Sequence, residues 1–211
     1  MNPDWDESSP QLAANIVRVL GAARAHASER KEVSVALMRD WHGDIMAGLG
    51  MRHPGWAACF RGEGAAKGIG VSIGSRDGAA PAKVAAELEA FEARLVQIVA
   101  TLDSAIGKDG ADSEDEIGAL IDSCAWAHGE WVRIHPFVNG SGRTARLWVN
   151  YLAMRYGLPR FARMRPRPGH AYAWAANAGM AGNWKAMIPV FHAMLSEALP
   201  PEAPEEEGRG I

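Results

Sequence analysis

Apolar side chains recur at helical spacing over much of the chain, with polar and charged positions between them. In residues 34–48, for example, Met38, Trp41 and Ile45 follow one another at intervals of three or four positions. This spacing places apolar side chains on one face of an α-helix, so each periodic segment is expected to pack that face on a core. The pattern predicts helices over residues 11–28, 34–48, 82–103, 169–180 and 184–198.

Two further predicted helices have recognisable ends. Ser113–Glu116 matches a capping box, in which the serine and the glutamate each satisfy a backbone N–H of the first turn. The helix that it opens continues through Trp131. Another periodic segment follows Arg143 and stops at Gly157, which is a common residue just beyond a helix C-terminus.

The helical period is broken between Gly50 and Pro81. This segment is rich in glycine and contains Gly-Ile-Gly-Val-Ser-Ile-Gly at residues 68–74. Short β-branched stretches bounded by glycine favour a β-hairpin, and a plain surface loop is the alternative. The predicted fold is therefore mainly α, a compact helical domain with a short hairpin.

Length and composition indicate a single domain over residues 1–199. The chain of 211 residues is long enough to bury a core, and the Pro- and Glu-rich tail over 200–211 is predicted to be disordered. A net charge of −3 argues against broad nucleic-acid binding. Cys59 and Cys124 lie far apart and give neither a disulfide framework nor a metal motif, and Cys124 is expected to be a small core residue.

The sequence also bears on cellular location. No apolar run approaches the roughly 20 residues that a membrane helix needs. The N-terminus is acidic and lacks the basic region of a signal peptide. We therefore expect a cytoplasmic protein with no membrane partner, although delivery by a route without a cleaved signal stays open.

Candidate chemistry is concentrated in residues 135–146, His-Pro-Phe-Val-Asn-Gly-Ser-Gly-Arg-Thr-Ala-Arg. Gly140 and Gly142 flank Ser141, and glycine reaches positive φ without steric cost. Successive N–H groups in such a turn can point at one anion. A helix is predicted to follow, and its N-terminus also favours a phosphate.

The same stretch supplies cations and a candidate base. Arg143 and Arg146 share one face of the predicted helix, where they oppose its dipole, so a bound polyanion accounts for them better than helix stability does. His135 titrates near neutrality and suits general-base catalysis, and Pro136 biases it towards an extended conformation. A histidine that merely caps the preceding helix is the structural alternative for His135.

These residues resemble the signature of the Fic (filamentation induced by cAMP) family, His-Pro-Phe-x-Asp/Glu/Asn-Gly-Asn-Gly-Arg-x-x-Arg. The stretch agrees at every specified position except Ser141, where the family usually has asparagine. The resemblance extends over residues 30–195 and includes a flap at residues 56–81. It implies a helical domain with a β-hairpin flap and transfer of AMP from ATP to a Ser, Thr or Tyr hydroxyl of a target protein.

The resemblance also implies a role for each motif position. His135 matches the catalytic base, and Asn139 matches the position that holds Mg²⁺, with Mn²⁺ as another option. The positions that match the phosphate-binding residues of the family are Gly140, Ser141, Gly142, Arg143 and Arg146. Phe137 matches a residue that packs inward and anchors the loop.

Two motif positions depart from the usual pattern. Asn139 is neutral where the family usually has a carboxylate, and a hard cation prefers carboxylate oxygen, so Mg²⁺ should bind more weakly. Ser141 keeps a polar group but has a shorter reach than asparagine. Either change is expected to slow turnover or to alter nucleotide preference.

Some residues outside the motif are also candidates for the site. Tyr172 and Trp184 are possible nucleoside-pocket residues, with a core position as the alternative. The arginine-rich stretch over residues 155–167 is predicted to face the solvent. A role as an accessory phosphate contact is the alternative. His128 is expected to be a partly buried histidine with its hydrogen bonds satisfied.

The resemblance further implies a restraint on activity. Many Fic proteins carry an inhibitory Ser/Thr-x-x-x-Glu-Gly/Asn helix whose glutamate pairs with the second arginine. Here Val33 follows Glu32 where Gly or Asn is expected, and Ala203 stands four positions before Glu207. We therefore expect a separate small antitoxin-like partner, besides the target protein that would dock on the flap.

The sequence thus predicts an ATP-dependent protein adenylyltransferase. Kinase-like transfer, UMP transfer and removal of AMP would use the same anion site and remain alternatives. A nucleotide-binding regulator with little turnover is the alternative from a different functional class.

Overall fold

The structure, a computed structural model, describes residues 9–199, and in this range the chain is mainly helical. The helices are α1 (Pro10–Ser28), α2 (Val35–Met46), α3 (Val84–Ala105), α4 (Glu114–Ile134), α5 (Ser141–Arg155), α6 (His170–Met180) and α7 (Ile188–Ala198). The predicted helical fold is confirmed. The predicted disordered tail lies outside the described residues.

Side-chain caps fix the starts of three helices. The hydroxyl of Ser9 accepts the N–H of Leu12 at α1, and the hydroxyl of Ser34 accepts the N–H of Leu37 at α2. At α4 the predicted capping box is present, since Ser113 and Glu116 each accept a backbone N–H of the other residue. Each cap satisfies an N–H that the helix itself leaves unpaired.

Helices α4 and α5 form the centre of the molecule. Helix α4 packs against α3, α5, α6 and α7, while α5 also packs against α1 and α2. Trp131 and Trp148 are fully buried between them with ring centroids 5.9 Å apart, and Phe91 of α3 completes the aromatic cluster. Cys124 is fully buried, as predicted. The motif helix is therefore held in place by its packing against α1, α2 and α4.

The glycine-rich segment between α2 and α3 contains the predicted hairpin. Strands β1 (Ser72–Ile73) and β2 (Arg76–Asp77) pair antiparallel, with Ser72 opposite Asp77 and Ile73 opposite Arg76. Gly74 takes a φ of 61° in the two-residue turn, a conformation that glycine adopts without strain. The strands are shorter than the predicted segment, because much of it forms 3₁₀ turns at Pro54–Trp56, Gly64–Ala66 and Pro81–Lys83.

The C-terminal part departs from the prediction in one respect. The expected helix over residues 184–198 begins as a 3₁₀ turn, Trp184–Met187, and becomes α-helical only at Ile188. Pro189 then occupies the first turn of α7, where its missing N–H causes no loss. No helix in the described range is long and apolar enough to cross a membrane.

Candidate active site

A cavity of about 820 Å³ opens where the motif meets the flap. Its walls come from the flap, from the loop joining α4 to α5 (residues 135–140, called the motif loop below), from the start of α5 and from α6. The volume falls within the range of small-molecule sites. The motif residues in its lining are His135, Val138, Asn139, Gly140, Ser141, Gly142, Arg143 and Arg146.

His135 occupies the C-terminal end of α4 in a left-handed conformation, with φ 52° and ψ 61°. The extended conformation predicted from Pro136 is therefore wrong. The N–H of His135 bonds to the carbonyl of Trp131, so the residue completes the last turn of α4. Its own carbonyl accepts a 2.6 Å hydrogen bond from Nε of Arg61. These two contacts hold a conformation that costs free energy for a residue with a β-carbon.

The environment of His135 keeps its ring neutral. Burial lowers the pKa of His135 to about 4, and the nearby positive charge of Arg61 lowers this pKa further, against the weak raising effect of the Val132 carbonyl. Nδ1 lies 3.4 Å from the carbonyl oxygen of Val132. This oxygen can only accept a hydrogen bond, so Nδ1 carries the ring proton. Nε2 therefore holds the lone pair, which is what a general base requires.

Arg61 links the flap to the motif loop and was missed from the sequence. The side chain is 1% exposed, and its NH2 group donates to the carbonyls of Ala79 and Ile134, both at 2.8 Å. The N–H of Arg61 also bonds to the carbonyl of Pro136 at 2.7 Å. Gly78 lies so close that an added Cβ would approach the Cβ of His135 to 2.7 Å. Arg61 thus caps α4 and positions His135 together with the flap.

Of the three residues predicted to form a Gly-Ser-Gly turn, only the first lies outside a helix. Gly140 has a φ of 86° and caps α5, whereas Ser141 and Gly142 are the first two residues of the helix. The first backbone bond of α5 runs from Thr144 N–H to the carbonyl of Gly140. In an α-helix the N–H groups before this bond have no intrahelical partner, so those of Ser141 and Gly142 suit a phosphate at the helix N-terminus.

The hydroxyl of Ser141 holds the motif loop together. It accepts the N–H of Phe137 at 3.0 Å and donates to the carbonyl of Phe137 at 3.1 Å. The polar group that Ser141 keeps in place of the usual asparagine is therefore engaged within the loop. The contribution of Ser141 to an anion site comes from its backbone N–H.

Phe137 and His42 support the loop from below. Phe137 is fully buried, as predicted for the anchor, and its ring stacks on His42 with centroids 3.6 Å apart. Nδ1 of His42 accepts the N–H of Ala58, so Nε2–H donates to the carbonyl of Asn139 at 2.9 Å. Burial lowers the pKa of His42 to about 4, so its ring is neutral at pH 7. His42 thus fixes the backbone of Asn139.

The two motif arginines are both buried at the cavity, each 4% exposed. NH1 of Arg143 lies 3.8 Å from the sulfur of Met46. Arg146 donates to the hydroxyl of Tyr172 at 3.2 Å and to the carbonyl of Met164 at 3.1 Å. The predicted pair of arginines on one face therefore lines one cavity with the start of α5.

Tyr172 and Trp184 have different positions. Tyr172 lines the cavity, and its hydroxyl lies 2.6 Å from Nε2 of His128. Trp184 is not part of the lining and packs against α4, where a Cβ added to Gly129 would lie 2.3 Å from the Cβ of Trp184. Tyr172 is thus the one member of the predicted nucleoside pair that borders the cavity.

His128 is more buried than expected, and only one of its two ring nitrogens has a hydrogen-bond partner within the described residues. The residue is fully buried, and burial together with the charge of Arg146 lowers its pKa to about 3. A neutral ring can accept the O–H of Tyr172 at Nε2. Nδ1 has no hydrogen-bond partner within the described residues.

The arginine-rich stretch divides into residues with different roles. Arg155 is buried and bonds Asp103 at 2.8 Å, a structural ion pair. Arg160 and Arg163 border a separate groove beside α1. Arg167 lines the central cavity, as does Arg52 in the segment before the flap. Arg167 is therefore the residue of this stretch that is placed to contact a phosphate in the central cavity. Arg52 was not predicted from the sequence, because no local pattern distinguishes it.

The donors at the cavity fit a divalent metal poorly. Among the described residues that line it, none is Asp or Glu, and no group of three or more His, Cys, Asp or Glu side chains occurs in the described part of the chain. Asn139 offers one amide oxygen. Mg²⁺ in nucleotide sites is usually held through at least one carboxylate. The residues present therefore do not form the expected Mg²⁺ site.

Comparison with known proteins identifies the family. The model of the Fic/DOC family matches residues 32–153, more than half of the chain. The chain is also 51% identical over 39 residues to Protein adenylyltransferase Fic of Drosophila persimilis, and 54% identical over 39 residues to that of Drosophila melanogaster. Each of these matches covers 18% of this chain and only 8% of the relative.

Solved structures share the fold. A Fic domain containing signaling protein from Bacteroides thetaiotaomicron superposes with a TM-score of 0.60 at 17% identity, over 88% of this chain and 67% of that chain. Fic-1 from C. elegans superposes with a TM-score of 0.55 at 21% identity, over 85% of this chain and 48% of that chain. At these identities the likeness concerns the fold alone.

Proposed function

The chain belongs to the Fic/DOC family, and from that premise we propose that it is a protein adenylyltransferase. It would transfer AMP from ATP to a Ser, Thr or Tyr hydroxyl of a target protein and release pyrophosphate. One observation supports this most strongly: a neutral histidine, His135, borders the same cavity as the α5 N-terminus and the buried Arg146. A base and an anion site must be adjacent for a hydroxyl to attack a bound phosphate.

The start of α5 would bind the phosphates. The N–H groups of Ser141 and Gly142 and the helix dipole attract negative charge, and the guanidinium of Arg146 can contact phosphate oxygens with two parallel hydrogen bonds. Arg143 borders the same space. Fixed donors of this kind stabilise charge that develops during transfer, because they need no reorganisation.

His135 would act on the target hydroxyl. Nε2 takes the hydroxyl proton while the oxygen attacks the α-phosphorus, and the bond from that phosphorus to the oxygen bridging towards the β-phosphate breaks. Pyrophosphate leaves with the electron pair of this bond. Bound phosphates raise the pKa of a nearby histidine towards neutrality, which makes His135 a stronger base in the complex than in the free protein.

The flap would present the target. Strands β1 and β2 are exposed along their length, and Ile73, Gly74 and Ser75 border the cavity. An extended segment of the target can pair with an exposed strand through backbone hydrogen bonds. This docking would bring an acceptor hydroxyl towards His135 with little selectivity for the side chains of the target.

Restraint of this activity is proposed to come from a separate small protein. Such an inhibitor would place a glutamate at Arg146, the cation expected to hold the terminal phosphate. The neutral partners of Arg146 leave its charge available for a carboxylate.

Substitution of the base tests the proposed function. His135→Ala should abolish transfer of AMP to proteins in a lysate, because the target hydroxyl then keeps its proton, while ATP still binds at α5. Mass spectrometry of lysate proteins after incubation with ATP measures the added AMP and identifies the acceptor. Tyr151→Phe is the matched control, since that hydroxyl bonds Arg155 and does not border the cavity. Equal modification by His135→Ala and the wild type would refute the assignment of the base.

A further inference from the structure

A buried side chain of α2 lies directly behind the anion site. His42 is 1% exposed and does not line the cavity, whereas Asn139 and Gly140, at the end of the motif loop, both do. Both of its ring nitrogens are engaged, since Nδ1 accepts the N–H of Ala58 at 3.1 Å and Nε2 donates to the carbonyl of Asn139 at 2.9 Å. His42 can therefore act on a bound anion only through the backbone that it holds.

The bond from His42 sets the direction of the next N–H group in the chain. The peptide unit between Asn139 and Gly140 is trans, and in a planar trans unit the N–H points opposite to the C=O. Because the carbonyl of Asn139 points at Nε2 of His42, the N–H of Gly140 points away from that ring. This N–H has no hydrogen-bond partner within the described residues.

The close fit between the ring and the motif loop leaves this peptide unit little freedom. Phe137 stacks on His42 with ring planes 4° apart. A Cβ added to Gly140 would lie 3.0 Å from Nε2 and 3.2 Å from Cδ2 of His42. Gly140 also has a φ of 86°, which residues with a side chain rarely adopt. The peptide unit is thus fixed before an anion arrives, which reduces the cost of binding.

The Gly140 N–H precedes the two free N–H groups at the start of α5. Gly140 is left-handed and Ser141 is helical, and successive N–H groups in such a pair of conformations form a concave anion site. Gly140, Ser141 and Gly142 all border the cavity. The three N–H groups can therefore bind one phosphate if the first of them is held in the right direction.

We propose that His42 is a positioning residue for the phosphates of the nucleotide. Through the carbonyl of Asn139 it turns the Gly140 N–H into the cavity, beside the N–H groups of Ser141 and Gly142. The inference rests on the proposed function, since it concerns the nucleotide of the same site.

Two variants separate the two hydrogen bonds of the ring. In His42→Asn the amide oxygen can take the place of Nδ1, so the bond from Ala58 is kept and the bond to Asn139 is lost. In His42→Gln the amide nitrogen can take the place of Nε2, so the bond to Asn139 is kept and the bond from Ala58 is lost. Each variant loses one hydrogen bond and the stacked ring, so chemical denaturation should show similar decreases in stability.

Titration calorimetry with ATP compares both variants with the wild type. The affinity should fall about tenfold in His42→Asn and stay within about threefold of the wild type in His42→Gln. Equal losses in the two variants, or no loss in His42→Asn, would overturn the inference, because a purely structural role of His42 does not distinguish the two bonds. Absence of ATP binding by the wild type would overturn the proposed function together with the inference.

Nuclear magnetic resonance of the wild-type chain tests the direction of the N–H without a variant. A hydrogen bond to phosphate moves an amide proton resonance downfield, so the Gly140 resonance should shift downfield when ATP is added. Gly21 is the control, because it lies on α1 and does not line the cavity. Its resonance should stay in place. ATP binding that left the Gly140 resonance unchanged would refute the role given to His42 and leave the proposed function intact.

Discussion

At the scale of single residues, a buried chain of hydrogen bonds holds the second motif arginine. Arg146 donates to the hydroxyl of Tyr172, and this hydroxyl can donate to the neutral ring of His128. Each member of the chain is buried, so each bond is shielded from water and effective in fixing geometry. The guanidinium is thereby oriented before a ligand arrives, which reduces the cost of binding.

Tyr172→Phe should weaken ATP binding while leaving AMP binding nearly unchanged. The variant keeps the ring and removes the hydroxyl that orients Arg146, so the loss should concern the phosphates beyond the first and amount to about tenfold. Titration calorimetry with ATP and with AMP measures both affinities.

Tyr151→Phe is the control for this experiment. The hydroxyl of Tyr151 contacts His26 and Arg155, and the residue does not line the cavity, so both affinities should match those of the wild type. Equal losses for ATP and AMP in Tyr172→Phe would show that the hydroxyl does not act through Arg146.

The residue roles differ in how far the sequence could predict them. Local patterns placed His135, Arg143 and Arg146 at one cavity, because the motif is contiguous along the chain. Arg61 and His42 lie 74 and 97 positions from the motif carbonyls that they bind, so no local pattern reports those contacts. The left-handed backbone of His135 escaped prediction for the same reason, since distant contacts hold it.

At the scale of elements, the flap and the end of α4 behave as one unit through Arg61. The guanidinium bonds the carbonyls of Ile134 and His135 at the end of α4, and those of Ile69 and Ala79 at the base of the flap. A cation at a helix C-terminus also interacts favourably with the helix dipole. Burial lowers the pKa of Arg61 from its ordinary value.

Arg61→Gln should destabilise the protein and loosen this junction. Several buried carbonyls would lose their donor, and we expect the free energy of unfolding to fall by about 3 kcal/mol. Chemical denaturation measures this loss, and hydrogen exchange should show faster exchange in the last turn of α4.

Arg39→Gln is the control for this variant. Arg39 forms a more exposed ion pair with Glu63, so its loss should cost less than about 1 kcal/mol. If Arg61→Gln cost no more than Arg39→Gln, the junction would not depend on the buried guanidinium.

The elements themselves were predictable where local chemistry defines them. Apolar periodicity predicted α1 and α2 nearly as they are, and periodicity together with the capping box at Ser113 predicted α4. The 3₁₀ turns of the glycine-rich segment were not predictable, because their geometry depends on contacts with side chains distant in the sequence, such as the bond from the Ala58 N–H to Nδ1 of His42 on α2.

At the scale of the whole molecule, three imidazoles with lowered pKa values make folding sensitive to acid, two of them buried (His42 and His128) and one half-buried (His135). Burial lowers the pKa values of His42 and His135 to about 4 and that of His128 to about 3, from an ordinary value of 6.5. As the pH falls below 6.5, the unfolded chain therefore binds protons that the folded chain does not. The free energy of unfolding must then decrease as the pH falls.

The free energy of unfolding should drop by about 2 kcal/mol or more between about pH 7 and about pH 5. Chemical denaturation at a series of pH values measures this decline. His128→Gln keeps a polar partner for Tyr172 and removes one titrating group, so its decline should be shallower. His192→Gln, at an exposed position on α7, is the matched control and should retain the wild-type decline. A free energy of unfolding that stayed constant over this range would contradict the lowered pKa values of these imidazoles.

Transfer of a nucleotide to protein is distinguished from other reactions by which phosphate of ATP the target protein receives. The full chain is incubated with lysate and with ATP radiolabelled at either the α- or the γ-phosphate, beside His135→Ala under the same conditions. We expect that proteins acquire the α-label, that they do not acquire the γ-label, and that His135→Ala transfers neither. Incorporation of the γ-label would indicate phosphoryl transfer instead, and ATP binding without any incorporation would indicate a nucleotide-binding regulator. Either result would rule out nucleotide transfer as the activity of this protein.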